Sequence, residues 1–482
     1  MRKSNFIFNV PRKLVKRHYN DESILPQYRT EFMRDRDRIM YATAFRRLSG
    51  KTQIYTVGSD DHRKNRLTHT LEVAQIARTV AAALGFNCDL AEAIALGHDF
   101  GHTPFGHAGE QILHEIMVPN SSYIKQSPFY QKSAEDIKHE FEQTKKHNLG
   151  FIDYAYGFKH NLQSVRVAAL LEDSYRSKDD KNIGLNLTNF ALYGMMTHSN
   201  TKYDKHGNYP NYQERFSQQM KMTGSNEYAW SFEAYIVRWA DDIAQWHHDL
   251  EDAMREGVLP LKKICETVKE SLDKRLDSID RNKLRAIEDT TLIDRKYIAE
   301  LSHIVVNVLV NNLIETSSAN LKVLHDEANE KRIRESEKIF KHYGDIGFSI
   351  EKDNVINVSG EINTDAFKDV IKASVHHSRN VERMNEKGKY IIRKLFEAYY
   401  AHPQQLPDGP ILHLLTEIDS PSLYSNIDEA RKAGIGDART KFDKVMKNPS
   451  IYTKCLLMRR ICDHIASMTD NYAIKEYNNL YG

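Results

Sequence analysis

Cysteine is scarce in this sequence. Its 482 residues include four cysteines, which are Cys88, Cys265, Cys455 and Cys462. Thiols so few and so scattered exclude a disulfide framework and a thiolate metal site, and they fit a reducing compartment. No apolar run approaches the roughly 18 residues that a membrane span needs, and the first residues, MRKSNFIFNVPRK, lack the apolar region of a signal peptide. We therefore expect a cytoplasmic protein with no membrane partner.

Proline, glycine and net charge are also low. With 12 prolines, 22 glycines and 40% hydrophobic residues, the composition is globular and excludes collagen-like and wholly disordered chains. The net charge of +2 conceals an uneven distribution, because residues 1–66 carry 16 Lys and Arg against 7 Asp and Glu. Such a segment suggests a polyanionic ligand, although charge alone is equally typical of a solvated face.

Helical periodicity, by contrast, runs through most of the chain. Between residues 66 and 85 apolar side chains recur every three or four positions, and Gly85 marks a helix end. Asp89, with Glu92 three residues later, predicts the start of the next helix. Further helices are predicted at 107–117, 161–175, 229–255, 261–287, 296–315, 320–342, 364–399, 425–445 and 453–472. Residues 347–362 are compatible with a small β-hairpin, and the polar stretches 119–147 and 199–227 predict loops. No linker interrupts this pattern, so we expect an all-α fold in one compact body.

Histidine is the unusual residue. Nine of the 22 histidines lie between His62 and His160, and the densest run is GHDFGHTPFGHAGE at 97–110. Its four glycines and one proline cannot continue a regular helix, so this run predicts a shaped loop.

The loop offers metal ligands. His98 and Asp99, adjacent at a helix end, can both reach one ion, and His69 lies on the preceding helix. Asp241, in Trp239-Ala240-Asp241-Asp242, is the best candidate for a fourth ligand, because acids among apolar residues are costly to bury without a cation or hydrogen bonds. A mixed set of this kind suits Mn, Fe, Co, Ni or Zn and activates water. The alternative is a core histidine followed by a helix-capping aspartate; the nearby His102, His107 and Glu110 count against it.

A string of motifs in a fixed order closely resembles the dGTPases, deoxynucleoside triphosphate triphosphohydrolases of the HD-domain superfamily. A bare His-Asp pair would be weak, because that superfamily includes other phosphodiesterases, but the resemblance spans nearly the whole chain. The motifs are Arg29-Thr30-Glu31-Phe32, Arg34-Asp35-Arg36-Asp37-Arg38-Ile39, Ala44-Phe45-Arg46-Arg47-Leu48, Lys51-Thr52-Gln53, the run 65–73, the run 98–110, Phe158-Lys159-His160-Asn161-Leu162-Gln163-Ser164, the run 238–244 and the run 463–470.

The resemblance implies a role for particular residues. It makes His69, His98, Asp99 and Asp241 the metal ligands. It makes His107 and Glu110 a catalytic histidine–acid pair, and it places His102 and His160 near the α-phosphate as further catalytic histidines. Gln53, Arg66 and Asp249 are implied to bind substrate: Gln53 and Arg66 through phosphate and sugar, Asp249 through the sugar.

The family chemistry is attack at the α-phosphorus, which releases a deoxynucleoside and inorganic triphosphate. It implies a divalent metal (Mn, Mg or Co, with Fe, Ni and Zn as alternatives), a dNTP substrate with dGTP favoured, and a homo-oligomer such as a hexamer. On this basis residues 1–65 are a basic segment that contributes to the active site. Residues 66–255 form the HD core, and residues 256–482 a helical C-terminal region packed on it.

One position departs from the family. Four residues after the last metal-binding aspartate the family usually has a tyrosine that meets the sugar, and here Gln245 is followed by Trp246. Three other functions stay open at this stage. They are a broad-specificity dNTP hydrolase activated by a second nucleotide, an HD phosphodiesterase, and a protein that binds single-stranded nucleic acid.

Overall fold

The computed structural model describes residues 8–19, 28–53, 64–117, 157–176, 182–197, 231–290, 295–371, 375, 378–418, 420 and 422–482. The predicted loops at 119–147 and 199–227 lie outside these ranges. The helices are α1 Glu31–Tyr41, α2 Thr43–Arg47, α3 Arg66–Leu84, α4 Cys88–Gly97, α5 His107–Met117, α6 His160–Arg166, α7 Asn189–Thr197, α8 Phe232–Arg255, α9 Leu261–Leu272, α10 Ser278–Glu288, α11 Arg295–Glu330, α12 Ser336–His342, α13 Lys352–Val355, α14 Thr364–Ile371, α15 Arg379–Ala401, α16 Asp408–Glu417, α17 Ile427–Ala433, α18 Ile435–Lys447, α19 Ile451–Ser467 and α20 Asp470–Tyr481.

The prediction of an all-α fold is confirmed. In the described part of the chain, β pairing is limited to isolated bridges, such as that between Thr52 and Asn65. Cys88, Cys265 and Cys462 are free thiols, as the scattered cysteines predict.

Helix α3 forms as its sequence predicts. Asn65 caps it by accepting from Thr68 N, the Thr68 side chain accepts in return from Asn65 N, and Gly85 ends it with a left-handed φ of 79°. The start of α4 differs from the prediction. Asn87, not Asp89, is the cap and accepts from the backbone N–H groups of residues 89 and 90, while Glu92 pairs with Arg78.

The helices α3, α4 and α8 form the centre of the molecule. Helix α3 packs against both α4 and α8, and α4 packs in turn against α1 and α7. Helix α4 is rich in alanine, and all its residues from 90 to 97 except Glu92 are buried. Small side chains allow this close approach, and it brings the first turn of α3, the end of α4 and the middle of α8 to one place.

The long helix α11 differs from the sequence prediction in two ways. It runs through Thr316-Ser317-Ser318, where a break between two helices was predicted. It also contains an 18-residue window apolar enough for a membrane span, with half of that window buried inside the protein. Its apolar side packs against α3 and α8, which is the packing of a core helix.

The predicted hairpin at 347–362 is wrong. The single-turn helix α13 occupies its middle, and the consecutive residues Val355 and Ile356 are both fully buried. A strand with one solvated face would alternate buried and exposed side chains. Side chains of α11 take the place of a partner strand, because Asn320 donates to the carbonyls of residues 354 and 355 and Ser317 accepts from Asn357 N.

Four other predicted helices are each divided or shortened. The segment 261–287 becomes α9 and α10, 364–399 becomes α14 and α15, 425–445 becomes α17 and α18, and 453–472 becomes α19 and α20. At residue 434 the break has a clear cause, because this glycine has a φ of 87° that only glycine adopts readily. Apolar periodicity continues across such turns, so it does not reveal them.

Candidate metal centre and active site

Four side chains predicted as metal ligands converge. His69 lies in the first turn of α3, His98 directly follows α4, Asp99 is next to it, and Asp241 projects from α8. Asp241 Oδ1 lies 2.9 Å from His69 Nε2 and 3.7 Å from His98 Nε2, and Asp99 Oδ1 lies 3.3 Å from His98 Nε2. Neighbouring ligands about 2.1 Å from a metal are about 3 Å apart, so the donor set fits a divalent ion.

The protonation of His98 also suits a metal. Its Nδ1 lies 2.6 Å from the Ala95 carbonyl oxygen, which can only accept, so Nδ1 carries a proton and Nε2 is left to bind either a metal ion or a second proton. Ligating histidines commonly hold their second nitrogen in this way. Burial alone would lower the pKa of His98, but Asp99 and Asp241 outweigh it and raise that pKa to about 9. The cluster therefore attracts positive charge, either a proton or a metal ion.

Arg66 stabilises this group of candidate ligands through an ion pair with Asp99. Its Nη1 lies 2.7 Å from Asp99 Oδ2, and both side chains are buried. Burial opposes the Asp99 charge, but His102, His98 and Arg66 together hold the pKa of Asp99 well below its usual range. Arg66 was predicted to contact phosphate; its buried Nε has no hydrogen-bond partner, so the guanidinium has capacity for a ligand in addition to Asp99.

A second group of histidines lies beside the first. The rings of His102 and His160 stack with centroids 3.8 Å apart, and His102 Nδ1 is 2.9 Å from Asp99 Oδ1. Glu110 Oε2 is 2.6 Å from His160 Nδ1 and 3.7 Å from His107 Nδ1. The carboxylate predicted to pair with His107 is therefore closer to His160, and the His107 side chain is 68% exposed.

Two buried members of this group, His102 and Glu110, differ in charge: the first is neutral and the second is negative. Burial and the nearby Arg66 guanidinium hold the pKa of His102 well below its usual range, so this imidazole is neutral. Burial opposes ionisation of Glu110, but His160 and His107 outweigh it and keep its pKa far below the ordinary value. A fixed anion thus supports histidines that face the metal ligands.

The loop that carries these residues is tightly packed. A Cβ on Gly101 would lie 2.1 Å from the His160 carbonyl oxygen and 2.3 Å from Ser164 N, so only glycine allows the loop to approach α6 this closely. Phe105 adopts a left-handed φ of 61°, which is strained for a bulky residue. Its side chain lies over Gly388 of α15, where a Cβ would come within 2.7 Å of it.

Residues distant in sequence hold this loop in place. Asp470, at the start of α20, accepts from Phe105 N at 3.0 Å and from Thr52 N at 3.0 Å. Lys51 is buried, and its ammonium donates to the carbonyl oxygens of His102 and Ala466. Burial, Arg47 and Arg66 lower the pKa of Lys51 to about 7. The family resemblance includes both motifs, but the sequence did not indicate that they meet.

The remaining predicted substrate contacts lie at the edges of this region. The backbone carbonyl oxygen of Gln53 lies near Gly106 of the loop, and so does Nη2 of Arg66. Asp249 is buried on α8, eight residues and hence about 12 Å along the axis from Asp241. Trp246 stacks on Phe367 with centroids 5.9 Å apart. Trp246 therefore packs against α14, while the partly exposed Gln245 shares the helix face of Asp241.

Several arginines of the basic segment are engaged in ion pairs within the protein. Arg17 pairs with Glu31 and Asp35, and Arg36 pairs with Asp89. Arg38 donates to the backbone carbonyls of residues 185 and 186. These arginines therefore stabilise the fold, and Lys51 and Arg66 are the basic residues of the described part of 1–66 that adjoin the metal ligands.

Comparisons with known proteins place the chain among phosphohydrolases. Residues 66–163 match the HD domain, and residues 358–412 and 444–479 match the phosphohydrolase-associated domain. A deoxyguanosinetriphosphate triphosphohydrolase-like protein of Azoarcus sp. (strain BH72) is 32% identical over 95% of this chain and 91% of its own length. Proteins of the same description from Syntrophus aciditrophicus (strain SB) and Brucella anthropi are 31% and 30% identical, each over 94% of this chain and over 88% and 90% of their own lengths.

Proposed function

Because the chain belongs to the deoxyguanosinetriphosphate triphosphohydrolase-like family of HD-domain phosphohydrolases, we propose that it hydrolyses dGTP to deoxyguanosine and inorganic triphosphate. The observation that carries this proposal is the convergence of His69, His98, Asp99 and Asp241 beside the stacked pair His102 and His160. Water oxygen bonds to the α-phosphorus, the bond from that phosphorus to the 5′-oxygen breaks, and a proton passes to the departing 5′-oxygen.

A divalent metal held by the four ligands would polarise the α-phosphate and lower the pKa of a bound water. Side chains of the protein supply further positive charge for the triphosphate. Arg66 adds positive charge next to the ligand Asp99, and such cations favour the attack because the triphosphate already carries several negative charges and more charge develops on its α-phosphate oxygens as water adds.

The histidines suit proton transfer at the same phosphate. Glu110 accepts from His160 Nδ1 and so fixes the orientation of that ring, leaving Nε2 to exchange a proton with substrate. His107, exposed and 3.7 Å from the same carboxylate, offers a second imidazole beside His160. A positioned general acid or base contributes about 10²–10⁴ in rate.

Product analysis of each dNTP with Mn or Mg tests the proposal. We expect deoxynucleoside and intact triphosphate, fastest with dGTP, and loss of activity in His98→Ala. His303 on α11 is exposed, so His303→Ala is the matched control and should retain activity. Release of monophosphate with pyrophosphate, or turnover of single-stranded DNA instead, would contradict the proposal.

A further inference from the structure

A third histidine cluster lies outside the proposed reaction. Glu72 is on α3, one helical turn after His69, and it faces His247 and His248 of α8. Glu72 Oε2 is 3.1 Å from His247 Nε2 and also contacts His248 Nε2. The His247 and His248 side chains are 7% and 2% exposed. Three metal-binding donor atoms therefore converge within the packed interface of α3 and α8.

The convergence is unusual for neighbours on a helix. Consecutive helical side chains point about 100° apart and do not normally face each other. Here the rings of His247 and His248 lie with centroids 4.2 Å apart, and both reach one carboxylate oxygen. Two imidazoles and one carboxylate thus converge on a single point.

The hydrogen-bond roles indicate that this point attracts positive charge. His247 Nδ1 lies 3.3 Å from the Ile243 carbonyl oxygen, which only accepts, so Nδ1 carries a proton and Nε2 is the nitrogen left to bind a cation. Glu72, ionised and paired with Lys64, also only accepts. The carboxylate oxygen and the imidazole nitrogen, 3.1 Å apart, repel unless a positive charge, either a proton on Nε2 or a cation, lies between or beside them.

Lys64 partly fills this requirement. Its ammonium is 3.1 Å from Glu72 Oε1 and 3.3 Å from His247 Nε2. It is also 3.3 Å from Glu251 Oε2, so Lys64 keeps an acidic partner if a divalent ion takes its place beside Glu72. A divalent ion can therefore replace the Lys64 ammonium beside Glu72, because Lys64 then stays paired with Glu251.

We propose that Glu72, His247 and His248 form a second metal site, separate from that at His98, for a divalent transition metal. Two imidazoles and one carboxylate favour Zn, Ni or Co over Mg, which prefers oxygen ligands. The site adjoins the first, because the His248 and His69 rings are 5.4 Å apart. It goes beyond the proposed hydrolysis, which uses none of its three residues.

Metal counting on the full chain tests this site. Protein is saturated with Zn or Co, passed through gel filtration, and its metal content is measured by mass spectrometry. We expect two equivalents in the wild type and in the control His303→Ala, and one in His247→Ala. Glu72→Gln, nearly isosteric, should also hold one. His98→Ala should lose the other equivalent.

The count is independent of catalysis, so the site can be judged even if dGTP is not a substrate. The equivalent retained at His98 reports that the His247→Ala protein is folded, and Glu72→Gln repeats the test with a smaller perturbation. One equivalent in the wild type, or two in both His247→Ala and Glu72→Gln, would overturn the proposal. So would loss of both equivalents together in a variant with unchanged thermal stability.

Discussion

At the scale of single residues, the site combines groups whose charge states differ because their surroundings differ. His102 is held neutral by burial and Arg66, and Glu110 is held anionic by His160 and His107. The two lie in one loop and the helix that follows it. An imidazole that stays uncharged and a carboxylate that stays charged can keep their roles over a broad pH range.

Removing the charge of Glu110 tests its role as a support for His160. Glu110→Gln should lower kcat by about 10²-fold or more, because the fixed orientation of the His160 ring depends on the carboxylate. KM should change much less. Steady-state kinetics measure both, and Glu115→Gln, on the same helix but exposed, is the control. Equal kcat in both variants would show that Glu110 is not needed.

A buried acid outside the site predicts a pH dependence of stability. Burial raises the pKa of Glu233 to about 7, despite hydrogen bonds from Asn87 N and Ser231. This pKa lies above that of the unfolded chain, so the unfolded state loses its proton first as the pH rises. Glu233 therefore decreases the free energy of unfolding progressively between about pH 4.5 and 7.

Glu233→Gln removes this titration. The gain in stability over wild type should grow by about 3 kcal/mol between pH 4 and pH 8, taking about 1.4 kcal/mol per pKa unit. Urea unfolding at several pH values measures it. Glu382→Gln, an exposed acid in the first turn of α15, controls for the loss of charge at a helix start. A difference between Glu233→Gln and wild type that does not vary with pH would contradict the assignment.

At the scale of elements, apolar spacing predicts where a helix exists better than where it ends. Helix α3 has both a periodic face and a stop at Gly85, and it was predicted almost residue for residue. Helix α11 was predicted as two helices, 296–315 and 320–342, but one helix crosses the gap between them. In this gap the Ser317 hydroxyl accepts a hydrogen bond from Asn357 N, which is a tertiary contact that the local sequence does not show.

In the site as well, local sequence predicted some residues, and others depend on contacts between distant parts of the chain. His69, His98 and Asp99 follow from spacing, because they sit at the ends of adjacent helices. Lys51 and Asp470 were missed as supports, because their contacts with the loop cross most of the chain. The His247–His248 pair was also missed, since neighbouring positions on a helix normally diverge.

The contact of α20 with the loop gives a prediction for Asp470. Asp470→Asn replaces one carboxylate oxygen by a donor, so either Thr52 N or Phe105 N loses its acceptor. An unsatisfied buried donor costs about 1–3 kcal/mol, and kcat should fall because Phe105 no longer keeps its strained conformation. Thermal unfolding and kinetics measure the two effects.

The exposed Asp443→Asn of α18 is the control and should change neither quantity. If Asp470→Asn lowered the melting temperature while kcat stayed at the wild-type value, α20 would contribute to stability without positioning the loop.

At the scale of the whole molecule, metal binding and folding stability are coupled. The four ligands come from α3, α8 and the end of α4, so an ion would bind the folded chain far better than the unfolded one. At a Mn concentration about 100 times Kd the native state gains about 2.7 kcal/mol. The melting temperature should therefore rise with added Mn in wild type and in His303→Ala, and rise clearly less in His98→Ala. Equal shifts in all three proteins would place the ion elsewhere.

The clamp between Thr52 and Asp470 spans 418 positions, and this has a consequence during synthesis. A ribosome adding about 5–20 residues per second needs roughly 20–80 seconds to travel that distance. For most of this interval, after the histidine loop at 97–110 has been translated, the carboxylate of Asp470 that holds it has not. A nascent chain that has passed residue 241 thus carries all four predicted metal ligands without the contact that holds the loop, so under the proposed function we expect nucleotide hydrolysis only after Asp470 has been translated.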